Sequence, residues 1–332
     1  MNSIKASPVR APASRKSVPT EAKVATPLSL VPKPSVAART TPQFSAVLQL
    51  LKPVTWFPPM WAFACGAISS GVSADGRWLV IAVGVILAGP LVCASSQAVN
   101  DWFDRHVDAI NEPHRPIPSG RMPGRWGLYI ACLWTALSLG VSYFLGPWGF
   151  AAGAAGLLLA WAYSAPPLRL KKNGWWGNAA CGLCYEGLAW VTGAAVMLGS
   201  QMPSPKILLI ALMYSIGAHG IMTLNDFKAI EGDRRMGIAS LPVQLGVDGA
   251  ARCACLFMLF SQCVVVMLLF AWGLGVQAGF VLALVIVQAA LMVQFMMNPV
   301  ARAVWYSALG VTIYVAGMMV SAFALRSLGV SP

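Results

Sequence analysis

The chain has 332 residues, of which 58% are hydrophobic and only 10% charged, with a formal net charge of +12. Such a composition excludes an ordinary soluble domain and describes a protein that lives in a bilayer. The positive charge calls for no nucleic acid, because seven Lys and Arg sit in the N-terminal tail and most others in short loops.

Residues 1 to 43 are rich in Ser, Ala, Pro, Thr, Lys and Arg, with Glu21 as their only acid and no apolar run fit for a signal-peptide core. They read as a disordered, basic cytoplasmic tail drawn to anionic membrane lipid, and 44 to 332 as one transmembrane domain. Apolar runs near the ~20 residues a bilayer core requires follow at 45 to 71, 78 to 100, 125 to 146, 148 to 164, 175 to 199, 206 to 225, 250 to 273, 276 to 297 and 304 to 325. The expected fold class is therefore all-α, a polytopic bundle of nine transmembrane helices. Links after the second, fourth, sixth and eighth helices hold Arg105, Arg115, Arg121 and Arg125; Arg169, Lys171 and Lys172; Lys228, Arg234 and Arg235; and Arg302. The opposite links hold only Arg77 and Lys206, so the charge bias puts the N-terminus in the cytoplasm and the C-terminus outside it. Eight cysteines are scattered within the predicted helices. Cys181 and Cys184 form a CxxC inside a span, where small packing residues are a better account than a disulfide or zinc site.

Acids are scarce and concentrated. Of eleven, seven crowd into NDWFDRHVDAINE (100 to 112) and NDFKAIEGD (225 to 233), and Asn100, Asp101 and Asp108 recur as Asn225, Asp226 and Asp233 at a constant offset of 125 residues (225−100, 226−101, 233−108). The same device on two related helices suggests two pseudo-repeated four-helix halves plus one further helix. On a helix, Asp101, Asp104 and Asp108 fall within about 60° of one another. Two such charges about 6 Å apart repel by roughly 2.8 kcal/mol at an effective dielectric near 20, so the face needs cations or protons. Oxygen ligands with no Cys or His at metal spacing favour Mg2+ before Ca2+ or Zn2+.

Cations flank both motifs. HRPIPSGR (114 to 121) brings Arg115 and Arg121 close to the first; YSAPPLRLKKNGWWGN (163 to 178) adds Tyr163, Arg169, Lys171 and Lys172; Lys228, Arg234 and Arg235 belong to the second. Ion pairs are the bland account, and positive-inside anchoring explains Lys171 and Lys172 equally well. The alternative is a polyanion site in which Mg2+ bridges aspartates to phosphate oxygens and Arg takes the others bidentately. Glu186 and His219 lie inside predicted spans, where ionisable groups are expensive and usually functional. His219 falls within about 20° of Asp226, two turns deeper. Both are candidates for a substrate pocket, or for a structural hydrogen bond to each other.

NDWFDRHVDAINEPHRPIPSG resembles the first aspartate motif and RPxPSG loop of the UbiA superfamily of intramembrane prenyltransferases, and NDFKAIEGDRRMGIASLPVQLG resembles its second motif and trailing LPV segment. The INEP-x-RPIPSG, YSAPPLRLKxNGWWGN and NDFKxxEGDR stretches are similar to its chlorophyll synthase branch, and KPVTWFPPMWAFACGAISSG (52 to 71) looks like the bacteriochlorophyll synthase members of that branch. The resemblance runs from about residue 45 to the C-terminus. One departure stands out: the DxxxD form of the second motif would put an acid at position 229, which is Ala229. Asp226 is the better substitute, since Glu231 would point about 140° away on an unbroken helix.

The resemblance implies a UbiA-type bundle that ionises an allylic prenyl diphosphate, geranylgeranyl or phytyl, and esterifies the propionate of a (bacterio)chlorophyllide. Asp101, Asp104, Asp108, Asp226 and Asp233 are then the catalytic acids. Asn100 with Asp101, Asp104 and Asp108 would hold one Mg2+, and Asn225, Asp226 and Asp233 a second. Arg115, Arg121, Tyr163, Arg169, Lys171, Lys228 and Arg234 would bind the diphosphate; His219 and Glu186, singled out by their place inside the spans, are the candidates for the acceptor pocket. The expected setting is a bacterial inner or intracytoplasmic photosynthetic membrane, with the site cytoplasmic and complexes with other pigment-biosynthesis proteins as further partners. Two rivals are a quinone or haem O prenyltransferase, against which the YSAPPLRLKKNGWWGN and INEP segments speak, and a divalent-cation transporter, poorly served by acids at helix ends interleaved with Arg and Lys.

Overall fold

The computed structural model describes residues 40 to 199 and 201 to 328. The expected disordered tail lies, up to residue 39, outside the described residues. Among those described, the chain is helical without a strand, its one β-bridge joining Asn173 and Ala239.

The first apolar run does not form a single helix. It divides into α1 (Phe44–Leu51) and α2 (Phe57–Ser69) because Lys52 adopts a left-handed conformation (φ 47°) and Pro53 follows it. Proline fixes φ, lacks an N–H and pushes its predecessor out of the helical region. Next, α3 (Trp78–Ile86) widens into a π turn at Leu87–Cys93 around Pro90 and continues as α4 (Ala94–Asn111). The Pro90 carbonyl accepts a hydrogen bond from Trp134 Nε1 (3.0 Å). After α5 (Trp126–Phe144) and α6 (Gly146–Ser164), a second wide turn, Leu183–Leu188, joins α7 (Gly174–Gly182) to α8 (Ala189–Met197). The second acidic segment is α9 (Pro205–Asp226) followed by the short α10 (Ile230–Arg235). Three long helices close the bundle: α11 (Leu241–Ala271), bent at Gly246 (φ 73°), α12 (Gly275–Met297) and α13 (Pro299–Arg326).

Seven helices among the described residues are long and apolar enough to cross a membrane, against the nine expected. The two that fall short have separate reasons. The 45 to 71 run is cut at Lys52-Pro53, and α6, though 19 residues long, is diluted by Gly, Trp, Tyr and Ser.

Packing rests on small residues that let backbones meet, the usual device where lipid supplies no hydrophobic drive between helices. A Cβ on Gly66 of α2 would lie 1.9 Å from the Trp190 carbonyl oxygen, and one on Gly193 of α8 would lie 2.1 Å from that of Phe63. The centre is aromatic: Trp190 stacks on Tyr214 at 5.7 Å, and Tyr314 meets Tyr214 edge-on at 5.3 Å. Polar ends of these rings are satisfied internally, Tyr214 pairing with Ser321 (2.8 Å) and Tyr314 donating to the Tyr214 carbonyl (2.8 Å). Near the acidic motifs, two loops are clipped together. Gly174 N–H donates to the Ala239 carbonyl (2.8 Å) and Ala239 N–H to that of Lys172 (2.9 Å).

Candidate active site

The last turns of α4 carry Asn100, Asp101, Asp104 and Asp108, and the end of α9 with α10 carries Asn225, Asp226 and Asp233. These segments face a common cavity of about 540 Å³ lined by Asn100, Asp104, Asp108, Glu112, Arg115, Tyr163, Lys171, Asn178, Asp226, Lys228 and Asp233. A second cavity, about 690 Å³ and mainly apolar, runs among α2, the two wide turns, α6, α9 and α13. Asn100, Arg115, Tyr163 and Lys228 line both. Those four residues form the junction between an oxygen-rich chamber and an oily one.

Within the chamber the two motifs are not equivalent. Every acid on α4 already has a cation: Asp101 Oδ1 lies 2.6 Å from Lys52 Nζ and 3.4 Å from Arg115 NH1, Asp108 Oδ2 lies 2.9 Å from Arg115 NH1, and Asp104 pairs with Arg169 (3.1 Å) and Lys171. Asp226 accepts a long hydrogen bond from Asn178 (3.4 Å), and neither it nor Asp233 has an ion-pair partner among the described residues. Burial pushes the Asp233 carboxyl above the usual carboxylate range. Burial likewise pushes the Lys171 ammonium down, against the upward pull of Asp104. The chamber therefore holds opposed charges at close quarters, where a ligand exchange of ion pairs for metal and phosphate contacts needs little new desolvation.

Some expectations meet a different geometry. The helix bearing the second motif is broken after Asp226, so Asp226 and Asp233 are joined by a turn and not by a shared helical stripe. Phe227, in that turn, is buried against Phe295 (5.7 Å) while Glu231 points outward to Arg234 (3.5 Å) and Arg235 (3.0 Å). Arg234 is thus spent on an exposed surface pair. Arg121 reaches Gln49 (2.7 Å) and the His114 carbonyl (2.6 Å) and lines neither cavity, and Arg169 touches the site only through Asp104. Asn225 lines the apolar cavity, apart from Asp226, and Asp101, 2% exposed, lines neither. His219 is stacked on Phe257 (4.3 Å) with Nε2 at 3.2 Å from the Trp175 carbonyl, outside both cavities, and does not make the bond to Glu186 that was the structural alternative. The face of α9 that lines the apolar cavity runs through Ala218, Ile221, Met222 and Asn225, one residue aside from His219. Glu186 does line that cavity.

Two contributors escaped the sequence reading. Lys52 is the sole cation in the apolar run 45 to 71, and an ionisable residue within such a run is the signal that marks it. Asn178, which bonds Asp226 and Thr223 (3.2 Å), left no comparable trace.

The donor set fits Mg2+. All carboxylates and amides offer oxygen, and among the described residues no three ligand-type side chains gather to cage an ion by themselves. Mg2+ commonly takes one or two carboxylates and completes its shell with water and substrate phosphates.

An all-helical membrane bundle with paired acidic helix ends over an apolar chamber defines a class of enzyme that handles a charged head on an oily chain. The chain belongs to the UbiA prenyltransferase family, whose model matches residues 55 to 309. It is 55% identical over 298 residues to the bacteriochlorophyll synthase 33 kDa chain of Cereibacter sphaeroides, covering 90% of this chain and 98% of that protein. Over 297 residues it is 40% identical to the chloroplastic chlorophyll synthase of Oryza sativa subsp. japonica, covering 83% and 76%. In fold it is similar to a UbiA homolog from Archaeoglobus fulgidus solved with GPP and Mg2+, with a TM-score of 0.65 at 19% identity over 82% of this chain and 99% of that one. It is a multi-pass membrane prenyltransferase.

Proposed function

We infer that the protein esterifies the propionate of a (bacterio)chlorophyllide with a geranylgeranyl or phytyl group from the corresponding allylic diphosphate, releasing diphosphate. The observation that carries this reading is the junction at Asn100, Arg115, Tyr163 and Lys228, where the acidic chamber opens into the apolar cavity. The names of the relatives at 55% and 40% identity agree with it. In this reading the prenyl chain lies along the apolar cavity and its diphosphate head enters the acidic chamber.

Asp104 and Asp108 on one side and Asp226 and Asp233 on the other would hold Mg2+, which would supply neutralisation of the departing diphosphate. Asp101 acts differently: it orients Lys52 and Arg115 toward the junction. Arg115, Lys171 and Lys228 bind phosphate oxygens, and Tyr163 donates a hydrogen bond to one. The allylic C–O bond breaks, the diphosphate leaves with the electron pair, and a propionate oxygen closes the new bond to the allylic carbon. A propionate is already ionised near neutral pH, so no general base is required. The apolar lining keeps water from the cation.

Counting α2 and α6 as shorter spans gives nine crossings, with the acidic chamber at the cytoplasmic face of a bacterial inner or intracytoplasmic photosynthetic membrane. The test is incubation of membranes containing the protein with bacteriochlorophyllide, each candidate diphosphate and Mg2+, followed by pigment chromatography. Esterified pigment is expected; its absence with every donor would end the reading.

A further inference from the structure

The large apolar cavity contains one acid. Glu186 sits in the wide turn Leu183–Leu188, is 4% exposed, and its Oε2 is buried with no hydrogen-bond partner among the described residues. An unpartnered buried polar group costs free energy and is retained where something else repays it. Wide turns of this kind interrupt helices at functional sites more often than elsewhere. Here both of them, Leu87–Cys93 and Leu183–Leu188, line the same cavity. The neighbouring Tyr185 is already engaged, its hydroxyl accepting from Gln97 Nε2 (3.0 Å) and contacting Cys93 Sγ (3.4 Å).

We propose that Glu186 recognises the acceptor macrocycle, its carboxylic acid donating a hydrogen bond to a ring carbonyl oxygen of the tetrapyrrole. This rests on the reading of the site as one that joins a prenyl diphosphate to a chlorophyllide. The isoprenoid chain, which shares this cavity, is a pure hydrocarbon with no atom to meet the carboxyl, so the chain alone would leave Glu186 as orphaned as before. A tetrapyrrole offers carbonyl oxygens on an otherwise apolar ring. Glu186 is also remote in role from the ion pairs of the acidic chamber: it lines only the apolar cavity and belongs to none of them.

The full-length protein, wild type, Glu186→Gln and Glu186→Ala, would be assayed in detergent with bacteriochlorophyllide and geranylgeranyl diphosphate varied separately. Glu186→Ala is expected to raise the acceptor KM about tenfold while leaving the donor KM within twofold of wild type. Glu186→Gln, whose amide N–H still donates, should retain near-wild-type acceptor KM. The long-wavelength absorption band of bound bacteriochlorophyllide should shift between wild type and Glu186→Ala and be preserved in Glu186→Gln. A donor KM that rises with the acceptor KM, an unchanged acceptor KM in Glu186→Ala, or an equal loss in the Gln and Ala variants would overturn the proposal. Failure of the wild type to form ester would instead overturn the reading on which it rests, so the two failures are distinguishable.

Discussion

Lys52 Nζ lies 2.6 Å from Asp101 Oδ1, tying the break in the first apolar segment to the first acidic motif across 49 residues of sequence. Lys52 holds a left-handed backbone conformation (φ 47°) at that break. Because Asp101 is 2% exposed, its charge relies on Lys52 and Arg115 for compensation. A double-mutant cycle with Lys52→Met and Asp101→Asn should give a coupling free energy of about 0.5–3 kcal/mol in stability in detergent. Additive effects would show the pair to be incidental.

Asp104→Ala and Asp108→Ala should each abolish ester formation while the protein still inserts and elutes as a folded species. Asp226→Ala should do the same. Pigment chromatography and size exclusion provide the two readouts, and normal turnover in any of the three would refute the assignment of these acids to metal and diphosphate.

Three arginines around the motifs, Arg115, Arg121 and Arg234, should separate sharply. Arg115 bridges Asp101 and Asp108 and lines both cavities, so Arg115→Ala is expected to lower kcat/KM about 10²-fold or more. Arg121 and Arg234 are spent on Gln49 and Glu231, and their alanine variants should stay within about threefold of wild type, a difference worth under ~1 kcal/mol.

Removal of divalent metal with a chelator should stop the reaction, and Mg2+ should restore it. Oxygen ligands around a diphosphate suit its small octahedral shell, so Ca2+ should restore activity poorly. Full activity in excess chelator would remove the metal from the mechanism.

Gly66→Val should be structurally severe. Its Cβ would meet backbone of α8, 1.9 Å from the Trp190 carbonyl oxygen and 2.9 Å from Ala194 N, so the two helices must part. A loss of about 1–3 kcal/mol or more should appear as a lowered detergent unfolding temperature, whereas a Gly140 variant, with nothing near its Cβ, should be close to neutral.

Composition and periodicity were enough to establish an all-helical membrane protein with two acidic motifs, because a bilayer demands long apolar runs and makes each misplaced charge costly. Those motifs also named Asp104, Asp108, Asp226 and Asp233, which do share a chamber. Helical angles could not reveal that α9 breaks after Asp226, that His219 turns aside to Phe257, or that Arg121 and Arg234 face outward, since each depends on which neighbouring helix claims the side chain. Lys52 meets Asp101, and Asn178 meets Asp226, across segments distant in the chain, and only the close packing of helices, as where Gly182 of α7 lies against the Ser215 carbonyl of α9, creates such pairs and the cavity that holds the lone Glu186.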